Sequence, residues 1–203
     1  MSEDHYFSQE PSSPLKPKSI EIPIAGIKTQ VTTASGTFSP QQLDFGTEVL
    51  IEQMELAPQS GSILDLGCGW GPIALNLAKL RPGAKVWAVD VNNRSLELTA
   101  KNASDLGLGN VQVALPDQVP NDLTFSGIWS NPPIRIGKKE LHTLLLTWLP
   151  RLDAGAAAYL VVQKNLGSDS LQKWLAETLG DGFQVSRHTS IKTYRVLKVL
   201  KTS

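Results

Sequence analysis

Three closely spaced glycines, preceded by an acid, are the residues whose types and spacing most clearly indicate chemistry. They occupy every second position of one loop, Gly67, Gly69 and Gly71. Glycine has no Cβ, so backbone N–H groups can approach a ligand closely, and the following Pro72 is typical of a first helical position. A glycine loop beside a helix N-terminus favours nucleotide-like ligands. The third glycine comes one residue earlier than in the dinucleotide fingerprint, and Asp65 directly precedes the loop.

A second motif, Asn131-Pro132-Pro133-Ile134, indicates how an amine could be held. The amide oxygen of Asn131 and the carbonyl oxygen of Pro132 can accept both hydrogens of a planar –NH₂ group. The two prolines fix the direction of that carbonyl and bring no competing N–H donor of their own. Such a site orients the nitrogen toward an electrophile and stabilises positive charge that builds on it. A Pro-Cys pair, which would indicate covalent attack on a pyrimidine carbon, does not stand here.

The elements that must position these residues alternate between strands and helices. Buried-strand patterns cover 62–66, 85–90, 111–115, 126–130 and 156–162, helical patterns cover 72–81, 96–107, 141–149 and 171–179, and a closing strand pair covers 183–189 and 193–200. This alternation predicts an α/β fold with a mostly parallel seven-stranded sheet and helices on both faces. Ligands of such sheets bind at the carboxyl ends of the strands. The polar residues expected there are Asp65, the three glycines, Asp90, Asp117 and Asn131.

The case for ligand binding is stronger for Asp90 than for Asp117. Asp90 ends the second strand pattern 23 residues after Gly67, where a carboxylate can accept hydrogen bonds from both ribose hydroxyls. Asp117 follows Leu-Pro, which is also an ordinary turn sequence, so adenine contact and turn chemistry remain equal alternatives for it. No metal site is predicted.

The segment before the glycine loop has three predicted parts. Residues 1–19 are rich in proline, serine and lysine, which predicts a flexible arm, and residues 20–203 then form a single domain. Alternating apolar residues in 20–35 predict an added β-hairpin beside the main sheet. Ser39-Pro40-Gln41-Gln42 resembles a capping box and predicts a helix start, interrupted at Gly46. A second helix start there would expose the Thr47 hydroxyl and backbone N–H groups, which could hold a carboxylate.

Bulk composition excludes several classes of protein. The chain has 203 residues with 19 Lys and Arg against 19 Asp and Glu, so a strongly basic, non-specific nucleic-acid binder is disfavoured, although a local basic patch is not. The single cysteine, Cys68, excludes an intrachain disulfide and indicates a reducing compartment. No apolar run reaches 18 residues and no signal-peptide pattern opens the chain, so no membrane partner and a cytoplasmic location are expected.

Taken together, the motifs resemble those of class I S-adenosylmethionine-dependent methyltransferases with the small methyltransferase domain, in particular the guanine-N2 methyltransferases of small-subunit ribosomal RNA. The resemblance spans almost the whole chain. It covers 5–8, 36–39, 43–47, 65–72 and 130–135, with Gly137-Lys138-Lys139 behind. The glycine loop is common to all class I enzymes. Asn-Pro-Pro restricts the reaction to amino groups, and the arm and the 135–139 loop match this branch specifically.

The resemblance implies a Rossmann-like class I methyltransferase fold, S-adenosyl-L-methionine as cofactor and RNA as partner. It places Phe38 and Thr47 near the methionine end of the cofactor, Asp65 at the methionine amino group, Asp90 at the ribose and Asn131 at the target amine. Asn131 and Pro132 are then the catalytic residues. Asn131 is also predicted to contact the cofactor, together with Gly67, Gly69, Gly71 and Asp117. The predicted substrate-binding residues are Pro133, Ile134, Arg135, Lys138 and Lys139.

One departure from the pattern bears on the substrate. Related amino methyltransferases often have Tyr or Phe after the two prolines, where Ile134 stands here, and longer relatives carry a second methyltransferase-like domain that helps bind RNA. Substrate recognition would then depend on the arm, the 135–139 loop and the last strands. The last strands carry five basic residues, Arg187, Lys192, Arg195, Lys198 and Lys201. The alternatives to guanine N2 of 16S RNA are methylation of a protein glutamine N5 or of DNA adenine N6, and a catalytically idle cofactor- or RNA-binding module.

Overall fold

The computed structural model describes residues 14–203, so the predicted motif at 5–8 lies outside the described residues. In chain order the strands are β1 (Pro17–Ile24), β2 (Ile27–Ala34), β3 (Gly61–Leu66), β4 (Ala84–Val89), β5 (Val111–Ala114), β6 (Phe125–Ser130), β7 (Leu152–Gln163), β8 (Phe183–Ile191) and β9 (Tyr194–Lys201). The α-helices are α1 (Phe45–Ile51), α2 (Pro72–Leu80), α3 (Asn93–Asp105), α4 (Lys138–Trp148) and α5 (Ser168–Thr178).

Seven strands form one sheet in the order β5-β4-β3-β6-β7-β9-β8. The first five of these pair in parallel, and β9 runs antiparallel to both β7 and β8. This confirms the predicted mostly parallel, seven-stranded Rossmann-like fold. Strand order rises in one direction from β3 to β5 and then crosses to β6, so the carboxyl ends of β4, β3 and β6 lie side by side, as at a topological switch point.

Each face of the sheet buries its own apolar cluster. Alternation along β3 shows the division, because Ile63 packs with α2 and α3 whereas Leu64 and Leu66 pack with α4 and α5. Asp65 points to the same face as Ile63 and is fully buried there. Within residues 14–203, no helix is both long and apolar enough to cross a membrane.

The predicted N-terminal hairpin is present, and it packs on the helices that cover the main sheet. β1 and β2 form a separate two-stranded sheet and do not extend the main one. Asn76 of α2 accepts a hydrogen bond from Ala25 N–H at 2.8 Å, and Asn102 of α3 bonds both backbone groups of Thr32, at 2.8 and 2.9 Å. The hairpin therefore covers the helices. Its first strand begins at Pro17, three residues inside the segment predicted as arm.

The prediction of a helix starting at Ser39 was wrong. Ser39 has a φ of +45°, and its hydroxyl donates to the carbonyl of Gln42 at 2.7 Å within an irregular segment. The helix instead begins at Phe45, with the Asp44 side chain accepting the N–H of Thr47 at 3.0 Å. The predicted second helix start after the interruption is thus the real one, and the chain's own carboxylate occupies its N-cap.

Candidate active site

A cavity of about 440 Å³ opens at the carboxyl ends of β3, β4 and β6. Its size falls in the range of small-molecule sites. Most of the predicted site residues line it: Phe38, Thr47, Gly67, Gly69, Asp90, Asn131, Pro132, Pro133, Ile134 and Arg135. The structure thereby brings together the glycine loop and the Asn-Pro-Pro motif, which begins 60 residues after Gly71 in the sequence.

Backbone N–H groups of the glycine loop are hydrogen-bonded to the end of β4 and to the residue that follows it. Gly67 N–H donates to the carbonyl of Val89 at 2.8 Å, and Gly69 N–H donates to Asp90 Oδ2 at 2.9 Å. Gly67 and Gly69 have φ values of +78° and +56°, which favour glycine. A Cβ on Gly69 would meet nothing within 4 Å. Backbone conformation and access to the cavity, rather than crowding, account for glycine at this position.

Gly71 stands in a different environment from the other two glycines. It is the N-cap of α2 with a φ of +96°, and an added Cβ would lie 2.9 Å from the Thr99 side chain of α3. It does not line the cavity, although cofactor contact was predicted for it. Its position indicates that this glycine allows the start of α2 to approach α3 closely.

Asp90 lies at the mouth of the glycine loop with both carboxylate oxygens oriented by backbone donors. Oδ2 accepts from Gly69 N–H and Oδ1 from Asn92 N–H, each at 2.9 Å. Burial raises the pKa of Asp90, and the N–H groups of Asn92 and Gly69 oppose that rise. Each carboxylate oxygen has a second lone pair. The carboxylate can therefore accept two hydroxyl groups without giving up its own backbone bonds.

Asp65, predicted at the methionine amino group, does not line the cavity: it is fully buried directly behind the loop and leaves one polar atom unpaired. Its Oδ2 accepts the N–H of Ala74 at 2.9 Å, whereas its buried Oδ1 has no hydrogen-bond partner among the described residues. Burial raises the pKa of Asp65 well above the ordinary value, and the charge of Asp90 adds to this effect. A buried carboxylate oxygen without a donor is costly. A cationic or N–H-bearing ligand group would remove that cost.

The thiol of Cys68 is not suited to nucleophilic attack. Burial, together with the charges of Asp90 and Asp65, raises the pKa of Cys68 well above its ordinary value. Its sulfur lies 3.7 Å from the Thr99 hydroxyl. The thiol therefore stays protonated at neutral pH, and Cys68 is a packing residue rather than a nucleophile.

Asn131 is fixed by side chains from the start of α1. Its Nδ2 group donates to Asp44 Oδ2 at 2.9 Å and to the Thr47 hydroxyl at 3.0 Å. Its Oδ1 accepts no hydrogen bond from residues 14–203 and is free for a ligand. Asp44 was not among the predicted site residues. In the sequence it belonged to the 43–47 segment as a capping-type residue before Gly46, which does not reveal a partner 87 residues away.

The two prolines after Asn131 place the neighbouring carbonyl as well. Pro133 has φ −73° and ψ 77°, and Ile134 N–H donates to the carbonyl of Pro132 at 2.8 Å, which forms an inverse γ-turn. The prolines bring no N–H donor of their own, as expected, but Ile134 supplies one to this carbonyl. A carbonyl oxygen has two lone pairs, so one acceptor position remains.

An aromatic side chain lines the cavity where the sequence offered only Ile134. Tyr194, the first residue of β9, belongs to the cavity wall and packs edge-on against Phe45, with ring centroids 5.6 Å apart. Burial and the charge of Asp44 raise the pKa of Tyr194. The sequence contained no local motif around Tyr194 that would assign it to the site. Strand order alone brings it there.

The remaining predicted residues lie around the rim or outside it. Asp117 does not line the cavity, although its neighbour Pro116 does, and Lys138 and Lys139 are exposed in the first turn of α4. Several of the basic residues near the C-terminus have local partners. Arg187 and Arg195 pair with Asp169, Lys201 donates to two carbonyls, and Lys192 lies over the Phe45 ring.

Residues 28–198 match the model of a family described as methyltransferase small domain. The chain belongs to this family. It is 35% identical over 201 residues to the uncharacterized protein YbxB of Bacillus subtilis, covering 98% of both chains. It is 37% identical over 124 residues to ribosomal RNA small subunit methyltransferase C of Aeromonas hydrophila, covering 60% of this chain and 35% of that protein. The family assignment makes the chain an S-adenosylmethionine-dependent methyltransferase.

A solved structure supports the same fold. The 16S rRNA N2 methyltransferase RsmC of T. thermophilus, in complex with AdoMet and guanosine, superposes with a TM-score of 0.75 at 23% identity. It covers 95% of this chain and 52% of that one. At this identity the likeness shows the fold alone. The small-subunit methyltransferases matched here are two to three times as long as the region they share with this chain.

The residues at the glycine loop fit S-adenosylmethionine. The unpaired Asp65 Oδ1 suits an ammonium group, the open faces of Gly67 and Gly69 suit close backbone approach, and Asp90 suits a diol. The cofactor, when bound, supplies a methyl group on a positively charged sulfur. The chain's own residues bind it, and the amide of Asn131 faces the same cavity.

Proposed function

We propose that this protein transfers the methyl group of S-adenosylmethionine to an exocyclic amino group of RNA, with N2 of a guanine in 16S ribosomal RNA as the favoured target. The observation that carries the proposal is the orientation of Asn131. Its two N–H donors are bound by Asp44 and Thr47, so its oxygen is left as an acceptor in the cavity. The names of the related small-subunit RNA methyltransferases support the choice of substrate.

The chain's acceptors then act on the amine. Asn131 Oδ1 and the remaining lone pair of the Pro132 carbonyl accept the two amine hydrogens, which directs the nitrogen lone pair into the cavity. As the nitrogen–carbon bond forms and the sulfur–carbon bond breaks, positive charge builds on nitrogen, and both oxygens stabilise it. The nitrogen then loses one proton to water. Acceptors alone thus suffice to orient and activate a weakly nucleophilic amine.

A flat substrate fits the walls of the acceptor side. Ile134 offers an apolar face and Tyr194 an aromatic ring, and both line the cavity with Asn131. Stacking on an aromatic ring stabilises a bound base by about 1–3 kcal/mol. Tyr194 therefore supplies the aromatic ring that Ile134 lacks.

The basic rim supports a polyanionic substrate. Arg135 lines the cavity, and Lys138 and Lys139 are exposed in the first turn of α4. Positive charge is unfavourable at the N-terminus of a helix, so these lysines do not stabilise α4. Contact with phosphate groups gives them a role that helix stability does not.

A labelling experiment tests the proposal against its alternatives. The protein is incubated with methyl-labelled cofactor and, separately, with naked 16S RNA, assembled small subunits, DNA and a protein fraction. Digestion of the labelled RNA to nucleosides is expected to yield N2-methylguanosine. Label in adenine of DNA or in glutamine of a protein would favour those alternatives, and cofactor binding without transfer to any fraction would favour the idle module.

A further inference from the structure

We propose that Asp44 is a positioning residue for the reaction, because it fixes which atom of Asn131 faces the substrate. This inference rests on the proposed function. Asp44 Oδ2 accepts from the N–H of Thr47 at 3.0 Å and from Nδ2 of Asn131 at 2.9 Å. It lines the same cavity as Asn131.

The chemistry of the contact excludes the opposite orientation of the amide. An ionised carboxylate only accepts hydrogen bonds, so the atom of Asn131 that contacts it must be the amino group. If the amide were turned around, its oxygen would face a carboxylate oxygen at hydrogen-bond distance. The Thr47 hydroxyl, which can donate or accept, follows the choice that Asp44 makes. Asp44 thus directs Asn131 Oδ1 into the cavity.

This arrangement changes the expectation for an aspartate at position 131. Considered alone, a carboxylate there could still accept from the amine and would retain much activity. Beside Asp44, two carboxylates would share a contact of about 3 Å, and one of them would have its pKa strongly raised. Asn131→Asp should therefore fail. Asp44→Asn should restore part of it, because the new amide can turn to donate its nitrogen to the aspartate. The rescue stays incomplete, since the same branch of the Asp44 side chain accepts the N–H of Thr47 in the unaltered protein.

The test measures kcat for Asn131→Asp, Asp44→Asn and the double variant. The substrate is the unmethylated form of the RNA that the labelling experiment identifies. Asn131→Asp is expected to lower kcat about a hundredfold, and the double variant to recover at least about tenfold of that loss. Asn and Asp are equivalent N-caps, so Asp44→Asn should keep the fold. Asp153→Asn is the matched control, since Asp153 is exposed at the other end of β7 from the cavity.

Two results would overturn the proposal: an Asn131→Asp enzyme with normal kcat, or a double variant no better than Asn131→Asp. A measurement without substrate separates this from the proposed function. The side-chain amide protons of Asn131, identified by the signals that Asn131→Asp removes, should exchange with solvent at least about tenfold faster in Asp44→Ala than in Asp153→Asn. Equal exchange rates would show that Asp44 does not hold the amide, whatever the enzyme methylates. If exchange accelerates but no RNA is methylated by the unaltered protein, only the proposed function fails.

Discussion

The glycine-loop half of the cavity comes from one continuous stretch, residues 66–91, whereas the amide half is assembled from residues 44, 47, 131–134 and 194. In the first half, backbone N–H groups and two carboxylates do the positioning, over a strand, a turn and a helix start. In the second half, side chains from three distant segments hold each other.

The difference has a physical consequence. A local motif can be recognised in a sequence because its residues have a fixed spacing. Substitution of its residues is expected to weaken the binding of one ligand, the cofactor. An assembled site has no spacing to read, and each member can be altered separately. Variants in the two halves should accordingly change different measured quantities.

Asn131→Ala should give the largest effect and should fall on turnover. Loss of one preorganised acceptor lowers kcat by about 10²–10³. Cofactor affinity, measured by calorimetry, should stay nearly constant, because the glycine-loop half is untouched. Normal turnover in this variant would make Asn-Pro-Pro a structural turn and remove the main support for amine methylation.

Asp90→Ala should show the converse pattern. Loss of a charged acceptor should weaken cofactor binding by about 1–3 kcal/mol. Asp90→Asn is the control for structure, because its amide oxygen can keep a bond to a backbone N–H of Gly69 or Asn92. If calorimetry found unchanged affinity in both variants, Asp90 would not contact the cofactor.

Asp65→Asn should separate stability from binding. Its pKa is raised in the folded state, so the native protein holds this proton more tightly than the unfolded chain does. The free energy of unfolding should therefore fall as pH rises from the ordinary carboxyl pKa to the raised one. The variant should lose this pH dependence and gain about 1–2 kcal/mol at neutral pH without ligand, while binding the cofactor more weakly. If thermal unfolding gave the same pH profile for Asp65→Asn and for the unaltered protein, Asp65 would not be the source of this pH dependence.

Tyr194→Leu tests the amide half at its aromatic wall. Loss of the ring should weaken RNA binding by about 1 kcal/mol, which raises KM for RNA roughly fivefold. Cofactor affinity should stay unchanged. Tyr194→Phe keeps the ring and should behave like the unaltered enzyme. An effect of equal size in both variants would assign the role to the hydroxyl group instead.

Neutralising Arg135, Lys138 and Lys139 should give the smallest effect at any single salt concentration. The slope of log affinity for RNA against log salt should fall by about 2 to 3, close to one for each lost phosphate contact. Lys28 and Lys101, which already pair with Glu21 and Asp105, provide control substitutions away from the cavity. An unchanged slope would exclude the 135–139 loop as an RNA contact.

The same division explains what the sequence could predict. Period-2 and helical patterns placed the strands and helices of the main sheet, and the glycine loop and Asn131 were found at strand ends as expected. The hairpin was found, but its packing against α2 and α3 depends on Asn76 and Asn102, whose partners are more than 50 residues away. Asp44 and Tyr194 were missed for the same reason. The capping signal at Ser39 was misleading because its backbone adopts a positive φ.

One carboxylate oxygen of Asp44 accepts both the N–H that starts α1 and the amide of Asn131. Fraying of that first helical turn must therefore release the amide at the same moment. Readiness of the acceptor site is thermodynamically linked to a local unfolding equilibrium of a seven-residue helix, in a part of the protein separate from the glycine loop. Conditions that destabilise the first turn of α1 should abolish methyl transfer while the cofactor remains bound.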